Sequence, residues 1–489
     1  MNISDNNNHK VNYPSPIVAW TTVVILSLTY MFSYMDRQIL VLLVEPIKAD
    51  LHITDTQVSL LTGFAFAVIY TISGIPMGRL SDMWIRKYVI IFGVTIWSVL
   101  TISCGFAKNF AQIFFARMGV GFGEAALTPT AYAMVPDLFP PHRMALGMSV
   151  FALGGTIGAG AALLFSGMII GQISDLGMVS LPFIGALRPW QLVLIVVGGA
   201  SLLMVIPLAL IPEPKRQGSQ KILPEQSSGQ TGKLSSKNHL PFREVLGYLW
   251  EQRSFYLPFV LGFSFMNLFA YGYGAWLPSF FIRVHGWEAA DTGINLGLLF
   301  IPAAIVGGLF GGWLADYFYQ KGYRGAAMVI MVTIATMSIV IVPCFIYAPW
   351  MPLSLGVLVV FMFLITASSV LFPTVVQMAT PHPIRAQVSA ILLMVTNLVG
   401  IGFGPTAIAL ITDYGFQNDL AVGHSIAIVG VLAFALGAGI LSTAIKPFIQ
   451  RTTAVSEDRL TEIGRQQETG AIQNAGNSAF TIALNPSKK

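Results

Sequence analysis

Twelve apolar runs dominate this sequence, and each is long enough to decide how its residues fold. They lie at Ile17–Val44, Val58–Gly78, Tyr88–Phe106, Phe110–Val135, Ala145–Ile170, Gln191–Ile211, Phe255–Ile282, Gly293–Tyr317, Ala326–Ala348, Leu353–Ala379, Ala386–Thr412 and Ala421–Ile445. About 20 apolar residues make a helix that crosses roughly 30 Å of hydrocarbon. Inside a bilayer the backbone must satisfy its own polar groups, so runs of this kind are read as helices, numbered here spans 1 to 12. A soluble fold is excluded, because 55% of the 489 residues are hydrophobic and only 10% are charged. The expected fold is an all-α membrane protein.

Charge distribution sets the topology. With the N-terminus inside, 21 of the 27 lysines and arginines fall on the inner side. Four fall outside (Lys48, Lys108, Arg188, Arg283) and two in spans (Arg37, Arg117). The positive-inside rule then puts both termini in the cytoplasm of a cell (inner) membrane protein. The polar intervals divide the chain into an N-terminal tail (1–16), a six-helix bundle (17–211), a linker (212–253), a second six-helix bundle (254–446) and a disordered tail (447–489). Within the linker, Pro241–Arg253 is amphipathic enough to lie as a helix on the membrane surface. The start, Met1–Tyr13, is polar and reads as no cleavable signal peptide. Cys104 and Cys344 read as small buried apolar residues.

Charges inside spans need a reason, since each costs a few kcal/mol or more there. Tyr34–Gln38, YMDRQ, places Asp36 and Arg37 in span 1, and Arg117–Pro129, RMGVGFGEAALTP, places Arg117 and Glu124 in span 4. Seven residues return a helix nearly to the same direction, so Arg117 and Glu124 share one stripe. Helical rise puts Asp36 about 12 Å and Arg117 about 10 Å below the outer ends of their spans, nearly level, with Glu124 about 10 Å further in, within reach of Arg37. A buried carboxylate that alternates between paired and unpaired arrangements changes its proton affinity, which makes these four residues a proton-coupling device. The other reading is two static ion pairs, Asp36 with Arg117 and Glu124 with Arg37, holding spans 1 and 4 together.

The two halves repeat. GRLSD at Gly78–Asp82 recurs as GWLAD at Gly312–Asp316, and Pro129, Thr130 and Met134 recur as Pro373, Thr374 and Met378, each before an arginine, Arg143 or Arg385. Each half is a six-helix copy of the other.

With these residues in hand, the chain resembles the major facilitator superfamily: twelve spans in two pseudo-symmetric halves, a central loop, and G-x-L-[AS]-D after span 2. YMDRQILVLLVEPIKADL from Tyr34, DTQVSLLTGFAF from Asp55, GVGFGEA from Gly119 and GAWLPSFFIRVHG from Gly274 are similar to a bacterial member of its spinster-like branch. The resemblance covers Ile17–Ile445. It implies transport by alternating access, and proton-linked movement of lysophospholipid-like or sphingoid amphiphiles. It also implies a conformational gate at Gly78, Asp82, Arg86, Arg143, Gly312 and Asp316. The loop motif departs from the superfamily pattern at Met83, Ile85, Tyr317 and Tyr319, so the gate is expected more clearly in the first half. In span 4, Val120 and Glu124 stand where the antiporter pattern has glutamine and a small residue, and the glutamate is a spinster-like feature.

The second half lacks matching charges, so the halves divide the labour. Phe263, Asn267, Tyr271 and Trp276 of span 7, with Thr128 and Asn397, are the expected wall of a substrate cavity. For each aromatic the alternative is helix packing or contact with lipid. All seven histidines lie in loops, tails or span ends. With no Ser/His pair and no phosphate-binding loop, neither an enzyme nor a cofactor or metal site is expected. The expected partners are protons, membrane lipids and an amphiphilic substrate, with no nucleic acid, and the protein is expected to be a monomer. Two alternatives stand: a transporter of a small organic acid, sugar phosphate or drug-like compound, and a non-transporting receptor or scaffold on the same fold.

Overall fold

The computed structural model describes residues 13–181, 185–214, 216, 242–381 and 384–483. Among these, eleven helices are long and apolar enough to cross a membrane: Pro16–Leu42, Asp55–Met83, Arg86–Cys104, Leu146–Ser174, Pro189–Leu210, Arg253–His285, Ala289–Gln320, Ala326–Ile346, Met351–Ala379, Gln387–Phe416 and Asp419–Thr453. They are spans 1 to 3 and 5 to 12. Span 4 completes the twelve as two shorter helices, Phe110–Glu124 and Leu127–Met134. The break has a local cause, because Pro129 has no N–H to donate to the carbonyl of Ala125.

Helix ends follow from nearby side chains. Thr54 and Gln57 form a capping box at the start of span 2. The Asn109 side chain accepts from Gln112 N at 3.0 Å at the start of span 4. Gly286 closes span 7 with φ of 70°.

Packing reproduces the internal repeat. In the first half span 1 packs on span 5, span 2 on span 4 and span 3 on span 6. In the second half span 7 packs on span 11, span 8 on span 10 and span 9 on span 12. Between halves, span 5 lies on span 8 and span 2 on span 11, which is the same contact made twice by the pseudo-twofold relation. Glycine permits the first of these contacts: a methyl on Gly297 would lie 2.6 Å from the Gly160 carbonyl oxygen.

Polar contacts between the halves gather at one end of the bundle. Arg283, on span 7, grips Asp55 with Nη1 at 2.6 Å and Nη2 at 2.8 Å, and Glu45 with Nε at 2.7 Å. Lys48 bridges Asp55 at 2.8 Å and Asp419 at 2.5 Å. Burial disfavours the Lys48 charge, but its hydrogen bonds to Asp419 and Asp55 prevail and hold the ammonium above its ordinary pKa. Thr56 donates from N and Oγ1 to Asp413, each at 2.6 Å.

Several features lie outside the expectations. A two-stranded antiparallel ribbon, Val179–Leu181 with Gly185–Leu187, joins spans 5 and 6. The last helix, Val422–Ala483, runs past the expected bundle boundary at 446 and through most of the segment read as a disordered tail. Cys344 is exposed rather than buried, whereas Cys104 is buried. The linker holds a helix at Phe242–Glu251, where the amphipathic stretch was read; its residues 217–241, like 1–12 and 484–489, lie outside the described residues.

Candidate functional site

Spans 1 and 4 come together because glycines let span 4 sit deep among its neighbours. A methyl on Gly121 would lie 2.7 Å from the Phe66 carbonyl oxygen of span 2, and one on Gly123 2.7 Å from that of Gly93 on span 3. This brings Glu124 against span 1. Its Oε2 accepts from Arg37 Nε at 2.7 Å, Arg37 Nη2 at 2.5 Å and Ser33 Oγ at 2.8 Å. Glu124 Oε1 is buried and has no protein partner. The Glu124 side chain is wholly buried, whereas that of Arg37 keeps 18% of its surface exposed.

Asp36 and Arg117 are adjacent, but they are not an ion pair through the carboxylate. Arg117 Nη1 donates to the backbone oxygen of Asp36 at 3.2 Å. The Asp36 carboxylate turns the other way and accepts from Ser201 Oγ of span 6 at 3.3 Å. Asp36 Oδ1 and Arg117 Nε and Nη2 are buried without partners. The ring of Phe66 lies between the two arginines, 4.5 Å from the Arg37 guanidinium carbon and 5.6 Å from that of Arg117. The static reading of two charge pairs is therefore only half present: Arg37 with Glu124 is formed, and Asp36 with Arg117 is replaced by a contact to the backbone.

Arg37 opens onto a cavity of about 540 Å³ between the halves. Tyr30, Tyr34 and Tyr132 line it from the first half, and Tyr271, Tyr273 and Phe300 from the second. Gln38, Thr62, Thr366 and Ser369 add polar groups. Of the residues expected in the wall, Tyr271 is there. The others are not among its lining. Phe263 stacks on Phe372 of span 10 with ring centroids 4.4 Å apart. Asn267 Nδ2 donates to the Thr396 carbonyl at 3.0 Å, and Trp276 Nε1 to that of Pro405 at 2.9 Å. Both tie span 7 to span 11. Thr128 and Asn397 are partly buried away from the cavity.

At the end of the bundle opposite Arg283, the expected gate residues are apart. Asp82, Arg143 and Asp316 are exposed. The Asp82 carboxylate has no hydrogen bond or ion pair among the described residues, while the Asp82 carbonyl accepts from Arg216. A methyl on Gly312 would meet nothing within 4 Å, and one on Gly78 only the Pro129 side chain of its own half, at 3.9 Å. Arg86 is buried and paired with Asp137, and its N donates to Glu213 at 3.1 Å. Among the described residues no hydrogen bond or ion pair joins the Asp82 side chain to the start of span 11 in this conformation, in which the halves are clasped at the Arg283 end.

The clasp was not singled out from the sequence. A signal was present: Lys48, Arg188 and Arg283 are three of the four basic residues that the positive-inside rule leaves on the minority side, and each is ion-paired, Arg188 with Asp50.

Comparison with known proteins agrees with this architecture. An MFS-type efflux pump of Mycolicibacterium smegmatis is 26% identical over 411 residues, covering 83% of this chain and 87% of that protein. Protein spinster of Drosophila melanogaster is 22% identical over 62% of this chain and 46% of its own length. The crystal structure of a bacterial homologue of the human lysosomal transporter Spinster, inward-facing and unoccupied, superposes with a TM-score of 0.70, at 22% identity over 91% of this chain and 99% of that one. Residues 26–405 match the Major Facilitator Superfamily. With twelve spans in two repeated halves around a central cavity, the chain belongs to that superfamily of transporters and has a spinster-like relationship within it.

Proposed function

We propose that this transporter is proton-coupled and moves an amphiphilic organic anion, lysophospholipid-like or related, by alternating access. The observation that carries the reading is Arg37 on the cavity wall paired with the buried Glu124 behind it, with Glu124 Oε1 bare. A proton on Glu124 removes the charge that holds Arg37, and the freed guanidinium presents donors to an anionic head group. Deprotonation restores the pair and competes with that head group. Binding of a proton to Glu124 and of an anion to Arg37 are thereby linked. The tyrosine-rich walls accept an apolar body and offer hydroxyls at its polar end. Asp36, with one oxygen bare beside Arg117, is the second proton acceptor of this reading.

A second substrate class, small organic acids such as sugar acids, is favoured by size. A volume of about 540 Å³ lies in the lower part of the range usual for small-molecule sites, roughly 300–1,000 Å³. Uptake into proteoliposomes under an imposed pH gradient, with lysophospholipids, fatty acids and sugar acids compared side by side, separates the two. Arg37→Ala is expected to abolish accumulation of the anion. Accumulation by Arg37→Ala at the wild-type level would overturn the reading.

A further inference from the structure

The second half carries another opening, of about 800 Å³, that shares no lining residue with the central cavity. Its walls are span 8, through Phe310, Leu314 and Phe318, and span 9, through Val329, Thr333 and Met337. Span 10 is its floor. A methyl on Gly311 would lie 2.6 Å from the Ala367 carbonyl oxygen, so span 8 sits directly on that floor while spans 8 and 9 stand apart above it. Phe310, Val329 and Met337 are exposed along the groove, which opens sideways from the bundle.

Length and charge identify an occupant. From Ala326 to Met337 the groove follows eleven helical steps, about 16 Å. That is about half of a hydrocarbon core roughly 30 Å thick, the depth of one leaflet. At its loop end, at the level of the head groups, Arg324 lines the groove and Lys321 stands three residues before it, both exposed. Arg324 Nη1 donates to Thr453 Oγ1 at 2.9 Å, and the rest of the fork has no partner among the described residues. Lys321 leans over the Tyr317 ring at 4.5 Å. Asp316, on the same helix, is not part of the lining.

We propose that this groove holds one acyl chain of a glycerophospholipid with an anionic head group, whose phosphate is bound by Arg324 with Lys321 beside it. A guanidinium fork matches phosphate oxygens two at a time, and an exposed lysine beside it adds attraction for an anionic head group. The chain fills the space between spans 8 and 9 that protein side chains leave empty. This lipid is stationary and separate from the transported substrate.

Native mass spectrometry of the purified full chain tests the assignment after exchange with phosphatidylglycerol or phosphatidylcholine of the same acyl chains. Wild-type protein is expected to retain phosphatidylglycerol about tenfold more than phosphatidylcholine. The double variant Lys321→Gln, Arg324→Gln is expected to bring the two lipids to the same low level. Thr333→Trp, which fills the groove from an exposed position, is expected to lower retention of phosphatidylglycerol with both cations intact. Glycerophosphoglycerol, a head group without chains, is expected not to displace the lipid. Equal retention of the two lipids by wild-type protein, unchanged retention in the charge variant or in Thr333→Trp, or displacement by the chainless head group would each overturn the proposal. Elution volume and melting temperature confirm that each variant is folded.

Discussion

Arg37 places two nitrogens on one oxygen of Glu124 and none on the other. Oε2 accepts from Nε at 2.7 Å and Nη2 at 2.5 Å, while Oε1 is buried and bare. A fully static ion pair would be expected to satisfy both oxygens, since an unpaired buried acceptor costs about 1–3 kcal/mol. On the proposed reading, the bare oxygen takes the proton while the surrounding packing stays in place.

Glu124→Gln and Asp36→Asn mimic the protonated state. Each is expected to lower gradient-driven accumulation by more than about tenfold while the protein remains folded and, in at least one of the two, still exchanges substrate. If the charges only hold helices together, Glu124→Gln strands Arg37 and costs about 3–5 kcal/mol of stability, whereas Asp36→Asn, which keeps the backbone contact to Arg117, costs little. Melting temperature and uptake measured on the same two variants separate these outcomes. Full proton-driven uptake by both would sink the coupling role.

The Arg283–Asp55 clasp joins the halves through a carboxylate that is wholly buried. Arg283→Ala leaves Glu45 without its cation and the buried Asp55 with Lys48 alone, which makes the clasped conformation costlier by up to about 3–5 kcal/mol. The halves relieve that cost by separating at this end. Spin labels at Lys108 and Gln417, one on each half, are expected to show a longer distance than in wild type. An unchanged distribution would mean that helix packing alone holds the clasp.

At the opposite end Asp82 is expected to form its contact only when the halves close there, where it faces the N-terminal end of span 11. A carboxylate at a helix N-terminus contributes about 0.3–2 kcal/mol, enough to bias two conformers of similar energy. Asp82→Asn is then expected to enrich the conformation clasped at the Arg283 end, read as a shorter mean distance between the same label pair. No shift in that pair would leave Asp82 without a gating role.

Gly297→Leu tests the contact between spans 5 and 8 directly. A β-carbon there falls 2.6 Å from the Gly160 carbonyl oxygen, which is backbone and cannot swing aside. The substitution is expected to prevent close approach of the halves at that level and to reduce transport at least tenfold. Gly312→Leu, in open space, is the control and is expected to leave the clasped conformation intact. Wild-type transport by Gly297→Leu would show that the halves do not need this contact.

Apolar length and the cost of charge in hydrocarbon were legible in the sequence. They determined the spans, the two repeated halves and the four charged residues of spans 1 and 4, because each depends only on what a residue does in a bilayer whatever its neighbours are. Partner choice was not legible. Asp36 faces Ser201, 165 residues away, rather than Arg117, and Arg283 finds Asp55 at a separation of 228. Aromatic residues within four turns of span 7 divide between the cavity, for Tyr271, and packing against other spans, for Phe263 and Trp276. These outcomes depend on how far each helix is rotated about its axis when it packs. A rotation of one residue step, about 100°, moves a side chain from cavity to core without changing the hydrophobic length of the span, so only the tertiary structure decided them.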